Sequence, residues 1–437
     1  MRVIDLILSG FNMDLAMKAV MRNKGSAGVD QMTVEELPEF WGKYGDEICT
    51  QIRNMKYKPQ PVRRVYIPKP NGKKRPLGIP TVSDRMIQQA TAQVLDGIFD
   101  PGFSDSSFGF RVEKSAHDAI SQALEYLNEG YEWVVDLDIE KFFDRVNHDK
   151  LISIIRQKMN DKEVLHLIRS FLKAGVMEEG KVTESELGTP QGGCISPLLA
   201  NIYLDLFDKE LESRGLRFCR FADDVVLFVK SEMAADRVMK SVSSWLERKL
   251  FLKTSPTKTH VCRPTKSTFL GFTFWKSSNG WEAKPAKDRK QRLYDNLKQV
   301  LCRKRAGATS LAQIFTRVNQ MVRGWINYFK IGAMKGFLRE FGEWLRHKIR
   351  VIILKQWKRP RTIYEKLIKL RRITGSNISN EEIRQTANSR LGLYRTAGWR
   401  TFNFLLSPKV LGMKKGDRPG LVDPLALYES YLSMIHQ

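Results

Sequence analysis

Apolar side chains recur every fourth position through residues 83–99, at Met86, Ala90, Val94 and Ile98, and this spacing predicts a helix. Residues 11–24 read as another helix, running into a glycine-bearing loop, Asn23-Lys24-Gly25-Ser26-Ala27-Gly28-Val29-Asp30. The pattern turns to strand over 61–80, PVRRVYIPKPNGKKRPLGIP, where two extended runs flank a turn at Pro70-Asn71-Gly72. Residues 131–139 predict a strand ending in acidic residues, 196–213 a helix, and 216–230 a hairpin with two aspartates at its tip. The run TFLGFTFW at 268–275 predicts a further short strand. After about residue 287 the period changes. Val318, Met321, Val322, Trp325, Ile326 and Phe329 fall on one helix face, and Phe337, Phe341, Trp344, Leu345, Ile349 and Ile352 on a second. The pattern therefore predicts a mixed α/β body followed by a helical module, with boundaries near 287 and at Lys358-Arg359-Pro360.

Charge divides the chain at the same place. Of the formal net charge of +25, residues 288–437 carry +21, from 31 Lys and Arg against 10 Asp and Glu. These cations are interleaved with Trp, Tyr and Phe rather than with Glu, which favours a polyanion-binding surface over a merely solubilising one. No stretch approaches the roughly 18 to 20 uncharged apolar residues of a membrane span, and the N-terminus lacks the pattern of a signal peptide. Cys49, Cys194, Cys219, Cys262 and Cys302 are odd in number and scattered, with no CxxC pair. That composition argues for reduced thiols in the cytoplasm and against a disulfide framework or a zinc finger.

The strongest chemical signal is a pair of carboxylate clusters set in apolar runs, Val134-Val135-Asp136-Leu137-Asp138-Ile139 and Phe221-Ala222-Asp223-Asp224. Charges in such surroundings need partners or metal ions. Two strands that bring carboxylates to one point suit a pair of Mg²⁺ ions and phosphoryl transfer. Taken alone, Asp-Asp is equally at home in a polar turn. Two other segments add weight. Thr189-Pro190-Gln191-Gly192-Gly193-Cys194 opens a helix with a glycine-rich loop, and Ile67 to Arg75 places cations on a hairpin suited to a triphosphate.

The order of these segments resembles the fingers and palm of reverse transcriptases, in detail those encoded by bacterial group II introns. The features that carry the resemblance are the loop at 23–30, IPKPxG…R at 67–75, SFGFR at 107–111 and DLDIEKFFDRVNHD at 136–149. GTPQGGxxSPLLANI at 188–202, ADD at 222–224, FLGF at 269–272 and GWINYFK at 324–330 complete the series. Together they cover residues 1 to about 360 in unbroken order. The resemblance implies an α/β right-hand polymerase followed by an α-helical thumb and a basic C-terminal region. Its domains would be an N-terminal extension at 1–60, fingers and palm at 61–287, thumb at 288–357 and a nucleic-acid-binding region at 358–437. It implies an RNA-directed DNA polymerase that extends a primer with dNTPs, and a maturase that helps its intron fold.

The resemblance also implies roles. Asp138, Asp223 and Asp224 would hold two Mg²⁺ ions, with Mn²⁺ as an alternative. Asp136 shares a strand face with Asp138, so spacing alone does not choose between them; the family pattern, with an aromatic five residues on at Phe143, chooses Asp138. Phe143 would exclude a 2′-hydroxyl, and Lys69, Arg75 and Gln191 would hold the dNTP. Lys258 would protonate the pyrophosphate leaving group, although Lys253 lies close in sequence. Phe269, Leu270 and Gly271 match the primer grip, and Asn23, Lys24, Gly25, Arg63, Arg323 and Trp325 would touch template or primer. The implied partners are an RNA template with a DNA or RNA primer, dNTPs, group II intron RNA and target DNA. No HNH-type endonuclease motif is visible. Phe221 stands where the family usually has tyrosine. Two other readings of the same sequence are an RNA-binding maturase with little polymerase activity and a relative reassigned to phage defence or DNA repair.

Overall fold

In the computed structural model the described residues are 2–68, 72, 74–178, 180–183, 187–189 and 192–435. The chain divides into two compact units, Met1–Phe269 and Leu270–Gln437.

The first unit holds two four-stranded sheets. Strands β1 (Val62–Pro68) and β2 (Lys74–Ile79) form the predicted hairpin, with Ile67 opposite Arg75. Two short strands, β4 (Val176–Glu178) and β5 (Lys181–Thr183), extend it in the order β2-β1-β4-β5, β4 running parallel to β1. The second sheet has the order β6-β7-β3-β8, from Arg217–Phe221, Asp224–Val229, Trp133–Asp138 and His260–Cys262, and is antiparallel throughout. Strand alternation gives this sheet two unlike faces. Val135, Leu137, Val225 and Leu227 enter the main core with the helices Ser196–Ser213 and Glu232–Leu250. On the other face Val134 lies opposite Phe228, whose ring meets Tyr126 of the helix Ala116–Asn128 at 5.6 Å. Further along that face the side chains become Asp136, Asp138 and Asp224.

The predicted helix at 83–99 is present as Val82–Phe99, capped by Thr81. Its buried stripe is Met86, Ile87, Ala90, Thr91, Leu95 and Phe99, and Val94 and Ile98 are only partly buried. Toward the C-terminal end the buried positions fall one residue later than the predicted ones, at Leu95 and Phe99 in place of Val94 and Ile98.

In the second unit β9 (Phe272–Ser277) and β10 (Gly280–Pro285) make a hairpin. Here the prediction of a strand from 268 is corrected: Leu270 and Gly271 have φ of +51° and +83°, so the chain turns there and pairing starts at Phe272. The two predicted helix faces lie on Leu311–Phe329 and Lys335–Trp357. Val318, Val322, Ile326, Phe341, Leu345 and Ile349 are buried among them. Phe337, Phe341 and Trp344 gather round Tyr294 with ring centroids 4.8–6.1 Å away.

The segment after 358 has its own buried apolar positions, including Ile363, Leu367, Ile383, Phe402 and Leu405. Its last helix, Pro424–Ile435, packs on the helices 311–329 and 335–357. Tyr428 donates to the Gly332 carbonyl at 2.8 Å. Asn319 donates to the Gly420 carbonyl at 2.7 Å and accepts from the Val422 amide at 2.9 Å.

Candidate active site

The β3–β7 register sets Asp138 directly opposite Asp224, and the turn Ala222-Asp223 joins β6 to β7 beside them. Only Ala222 and Asp223 form the tip; Asp224 is the first residue of β7. Ala222 has φ of +58°, a left-handed conformation that a residue with a Cβ adopts at some cost. The support comes from Arg220, whose side chain is fully buried on the core face. It forms a bidentate pair with Asp208, Nε to Oδ1 at 2.7 Å and Nη2 to Oδ2 at 2.5 Å. Arg220 also donates to Asn201 Oδ1 and to the Ala222 carbonyl, each at 3.0 Å, and to Ser107 Oγ at 2.7 Å. Asn201 donates to the Gly109 carbonyl at 2.9 Å, and a Cβ on Gly109 would lie 2.4 Å from the Ala222 nitrogen. Gly109 must therefore be glycine because the hairpin backbone occupies the space.

The carboxylates repel one another. Burial and then the neighbouring Asp138 push Asp223 up, against Arg75 and Lys258, which lower it. Asp224 is pushed up to about 6, first by its desolvation among protein atoms and then by Asp223 and Asp138, although part of its surface meets solvent. Asp138 is bound to Lys258, whose Nζ donates to Oδ1 at 2.8 Å and to Oδ2 at 3.1 Å. That contact raises the lysine pKa, so Lys258 is protonated at neutral pH. Asp136, Asp138, Asp224, Lys258, His260 and Lys266 line a cavity of about 250 Å³. Oxygen donors of this kind, crowded and mutually repelling, fit hard divalent cations.

The turn after β3 carries Phe143, half-buried, with its ring edge-on to Phe142 at 5.1 Å. The glycine-rich loop is fastened to this turn: the Thr189 amide donates to the Phe143 carbonyl at 2.6 Å and Gly188 to Val146 at 2.8 Å. Gly192, with φ of +115°, lies against β2, where a Cβ would meet the Gly78 carbonyl at 2.5 Å. Lys69 and Gln191 lie outside the described residues. Arg75 is on β2, close enough to Asp223 to influence it.

Asn23 ends the helix Gly10–Asn23, Lys24 caps it in the left-handed conformation, and Gly25 follows. Arg63 reaches beneath this loop and donates to the Ala27 carbonyl at 2.7 and 3.1 Å, so its contact here is to protein backbone. Phe269 is buried in the first unit. Leu270 and Gly271 are held in the second: the Leu270 carbonyl accepts from Tyr328 and that of Gly271 from the Ala286 amide, each at 2.9 Å. Arg323 is exposed, and the Trp325 ring lies 4.6 Å from that of Phe329, tilted by 40°. Sequence reading passed over Arg220, Asp208 and Asn201; a charged residue within the apolar run RFCRF was the signal available.

An antiparallel sheet that sets Asp138 against Asp224 with Asp223 in the adjoining turn, and a glycine-rich loop fastened beside them, defines a polymerase palm. Two family models match in tandem: "Reverse transcriptase (RNA-dependent DNA polymerase)" over residues 67–274, and "Group II intron, maturase-specific domain" over 290–372. Among curated relatives, "Group II intron-encoded protein LtrA" of Lactococcus lactis subsp. cremoris is 44% identical over 175 residues, 40% of this chain and 29% of that protein. "Protein YkfC" of Escherichia coli (strain K12) is 35% identical over 243 residues, 47% of this chain and 64% of that protein. A solved "Partial Cas6-RT-Cas1--Cas2 complex" aligns over 56% of this chain and 43% of that one, at 25% identity and a TM-score of 0.36, too loose a fit to bear on function. The chain thus carries a region that matches reverse transcriptases followed by one that matches group II intron maturase-specific domains, and it spans only part of the length of the relatives it resembles.

Arg220→Met should destabilise the protein by about 3–5 kcal/mol, because it strands the buried Asp208 charge. Chemical denaturation measures this, and adding Asp208→Leu should recover most of the loss. A single variant as stable as the wild type would show that the clamp holds nothing.

The Asp224 shift predicts a second effect. Its folded pKa of about 6 lies above the ordinary 3.8, so between these values the folded chain binds more protons than the unfolded one. Stability therefore falls as pH rises through that window. In metal-free protein Asp224→Asn should melt above the wild type at pH 7, and the difference should vanish below pH 3.8. Thermal melts across pH, with and without Mg²⁺, check this; the metal should narrow the gap at pH 7.

Proposed function

We propose that this protein is an RNA-directed DNA polymerase that extends a primer 3′-hydroxyl with dNTPs, and that it also binds its parent intron RNA as a maturase. The register that sets Asp138 against Asp224, with Asp223 in the adjoining turn, carries this reading. Asp138, Asp223 and Asp224 would hold the Mg²⁺ ions, or Mn²⁺ in their place. When bound, the ions would favour attack by the hydroxyl and stabilise the departing pyrophosphate. A binding protein with no chemistry to perform has no use for carboxylates crowded so closely that Asp223 and Asp224 are both raised.

The chain's own residues supply the rest. Lys258 carries a proton at the site and would deliver it to the pyrophosphate. Arg75 on β2, with Lys69 and Gln191, would grip the triphosphate. Phe143, fixed by its backbone contact to Thr189, would lie under the sugar and exclude a 2′-hydroxyl. Phe269, Leu270 and Gly271 would seat the primer end. The helices of the second unit, from Lys287–Val300 to Lys335–Trp357, would serve as the thumb, with Arg323 and Trp325 on the duplex. The basic segment after 358 would bind intron RNA and target DNA. The site of action would be the bacterial cytoplasm.

Primer extension on an RNA template tests the assignment. Asp223→Asn should abolish extension and leave duplex binding nearly intact, since phosphate contacts supply most of the affinity. Extension that survives in this variant would overturn the active-site assignment; a wild type that binds intron RNA but never extends would favour the maturase-only reading.

Phe143→Ala should raise ribonucleotide use relative to dNTP use by about tenfold or more, the change given by about 1.4 kcal/mol of steric exclusion. Competition between the two nucleotides on one template measures it. Unchanged selectivity with a stability loss of about 3–5 kcal/mol would make Phe143 a core residue only.

A further inference from the structure

Beside the catalytic carboxylates lies a second group of ligand atoms of different chemistry. The β3–β8 register sets Asp136 directly across from His260, and Cys262 follows two residues on, so all three project from one face of the sheet. One ligand atom from each lies within 4.8 Å of the others. Asp136 Oδ2 is 3.5 Å from His260 Nε2 and 3.6 Å from Cys262 Sγ. Ligands around a tetrahedral zinc ion, with bonds of about 2.0–2.3 Å, stand about 3.3–3.6 Å apart.

The surroundings orient these atoms. His260 Nδ1 is 2.8 Å from the Lys258 carbonyl, which can only accept, so Nδ1 carries the proton and donates. In the neutral ring that leaves the Nε2 lone pair facing Asp136 and Cys262. The fully buried Ser267 donates from Oγ to Asp136 Oδ1 at 2.7 Å, leaving Oδ2 for the other two. A histidine with its second nitrogen on a backbone carbonyl and a carboxylate steadied by a hydroxyl are the supports that metal ligands commonly have.

We infer that Asp136, His260 and Cys262 form a site for a borderline-soft divalent cation, zinc being the best match, distinct from the oxygen-only Mg²⁺ site of Asp138, Asp223 and Asp224. Thiolate and imidazole select such an ion and disfavour Mg²⁺. On binding, the sulfur–metal bond replaces the Cys262 S–H bond, whose proton goes to solvent; nothing is oxidised or reduced. Asp136 and His260 also line the cavity that Asp138 lines, from which water would complete the coordination. The ion would clip β8 to β3, and through the Lys258 carbonyl it would steady the lysine that binds Asp138. The inference does not depend on the polymerase reading.

The test uses the full chain, stripped of metal, kept reduced with a phosphine, and held in excess Mg²⁺ to occupy the catalytic carboxylates. Titration with Co²⁺ should produce a sulfur-to-cobalt charge-transfer band that saturates at one equivalent and disappears on adding Zn²⁺. Cys262→Ser should abolish the band, and Cys219→Ser, at a buried thiol on β6, should keep it. His260 is half-exposed, so His260→Ala should fold normally, as circular dichroism will show, and lose the band or weaken its binding. Ser267→Ala should weaken binding by about 10- to 100-fold. No band in the wild type, or a band indifferent to both Cys262→Ser and His260→Ala, would overturn the site; Asp136 and His260 would then be an ordinary contact between a carboxylate and an imidazole.

Discussion

Two carboxylates placed directly across an antiparallel strand pair repel each other, and the first unit is arranged around that repulsion. Like charges at such a position destabilise a sheet, yet Asp138 and Asp224 occupy it, with Asp223 in the adjoining turn. The strain is met from the opposite face of the same hairpin. Arg220 enters the core, pairs with Asp208, and holds the Ala222 carbonyl, Asn201 and Ser107. A buried charge pair adds little net stability, but removing one partner is costly. Its effect here is geometric: the hairpin cannot slide or relax away from Asp138 without uncovering a charge.

The same logic extends outward from the hairpin. Gly109 lets the loop of the SFGFR segment touch the turn backbone, and the amide of Thr189 ties the glycine-rich loop to Phe143. Gly192 presses that loop on β2, which carries Arg75. Several segments of the first unit that looked like substrate contacts thus also have a packing duty there. Arg63 makes the point most clearly, since its guanidinium is spent on the Ala27 carbonyl. Side-chain chemistry is likewise divided by position on one sheet face. Asp138 and Asp224 sit at the end of the strand pair, where carboxylates meet beside Lys258. Two residues back, Asp136 has imidazole and thiol for neighbours.

The second unit shows why a basic segment need not be a loose tail. Residues 359–437 carry 14 Lys and Arg against 6 Asp and Glu, but Asn319, Tyr428 and the Arg346–Asp423 pair fasten the final stretch to the helices before it. Charge on the surface and apolar burial beneath it are compatible because long basic side chains keep their heads in water while their stems cover the core.

Sequence alone determined the local elements and the chemistry they offer. The strand ending at Asp138, the hairpin bearing Asp223 and Asp224, and the faces of the helices at 311–329 and 335–357 were legible because hydrophobic period and local composition encode them. The family pattern supplied the choice of Asp138 over Asp136. Pairing could only be settled in three dimensions. Which residues stand opposite each other depends on strand register, and register is a contact between segments far apart in the chain. That is why Asp224 opposite Asp138, His260 opposite Asp136 and Arg220 against Asp208 were invisible from spacing. The turn at Leu270-Gly271 was hidden for a related reason. An apolar run reads as a strand, and only a left-handed backbone, held by Tyr328 and Ala286, breaks it. Short-range pattern is written in the chain; the meeting of distant side chains is decided by the packing that joins them.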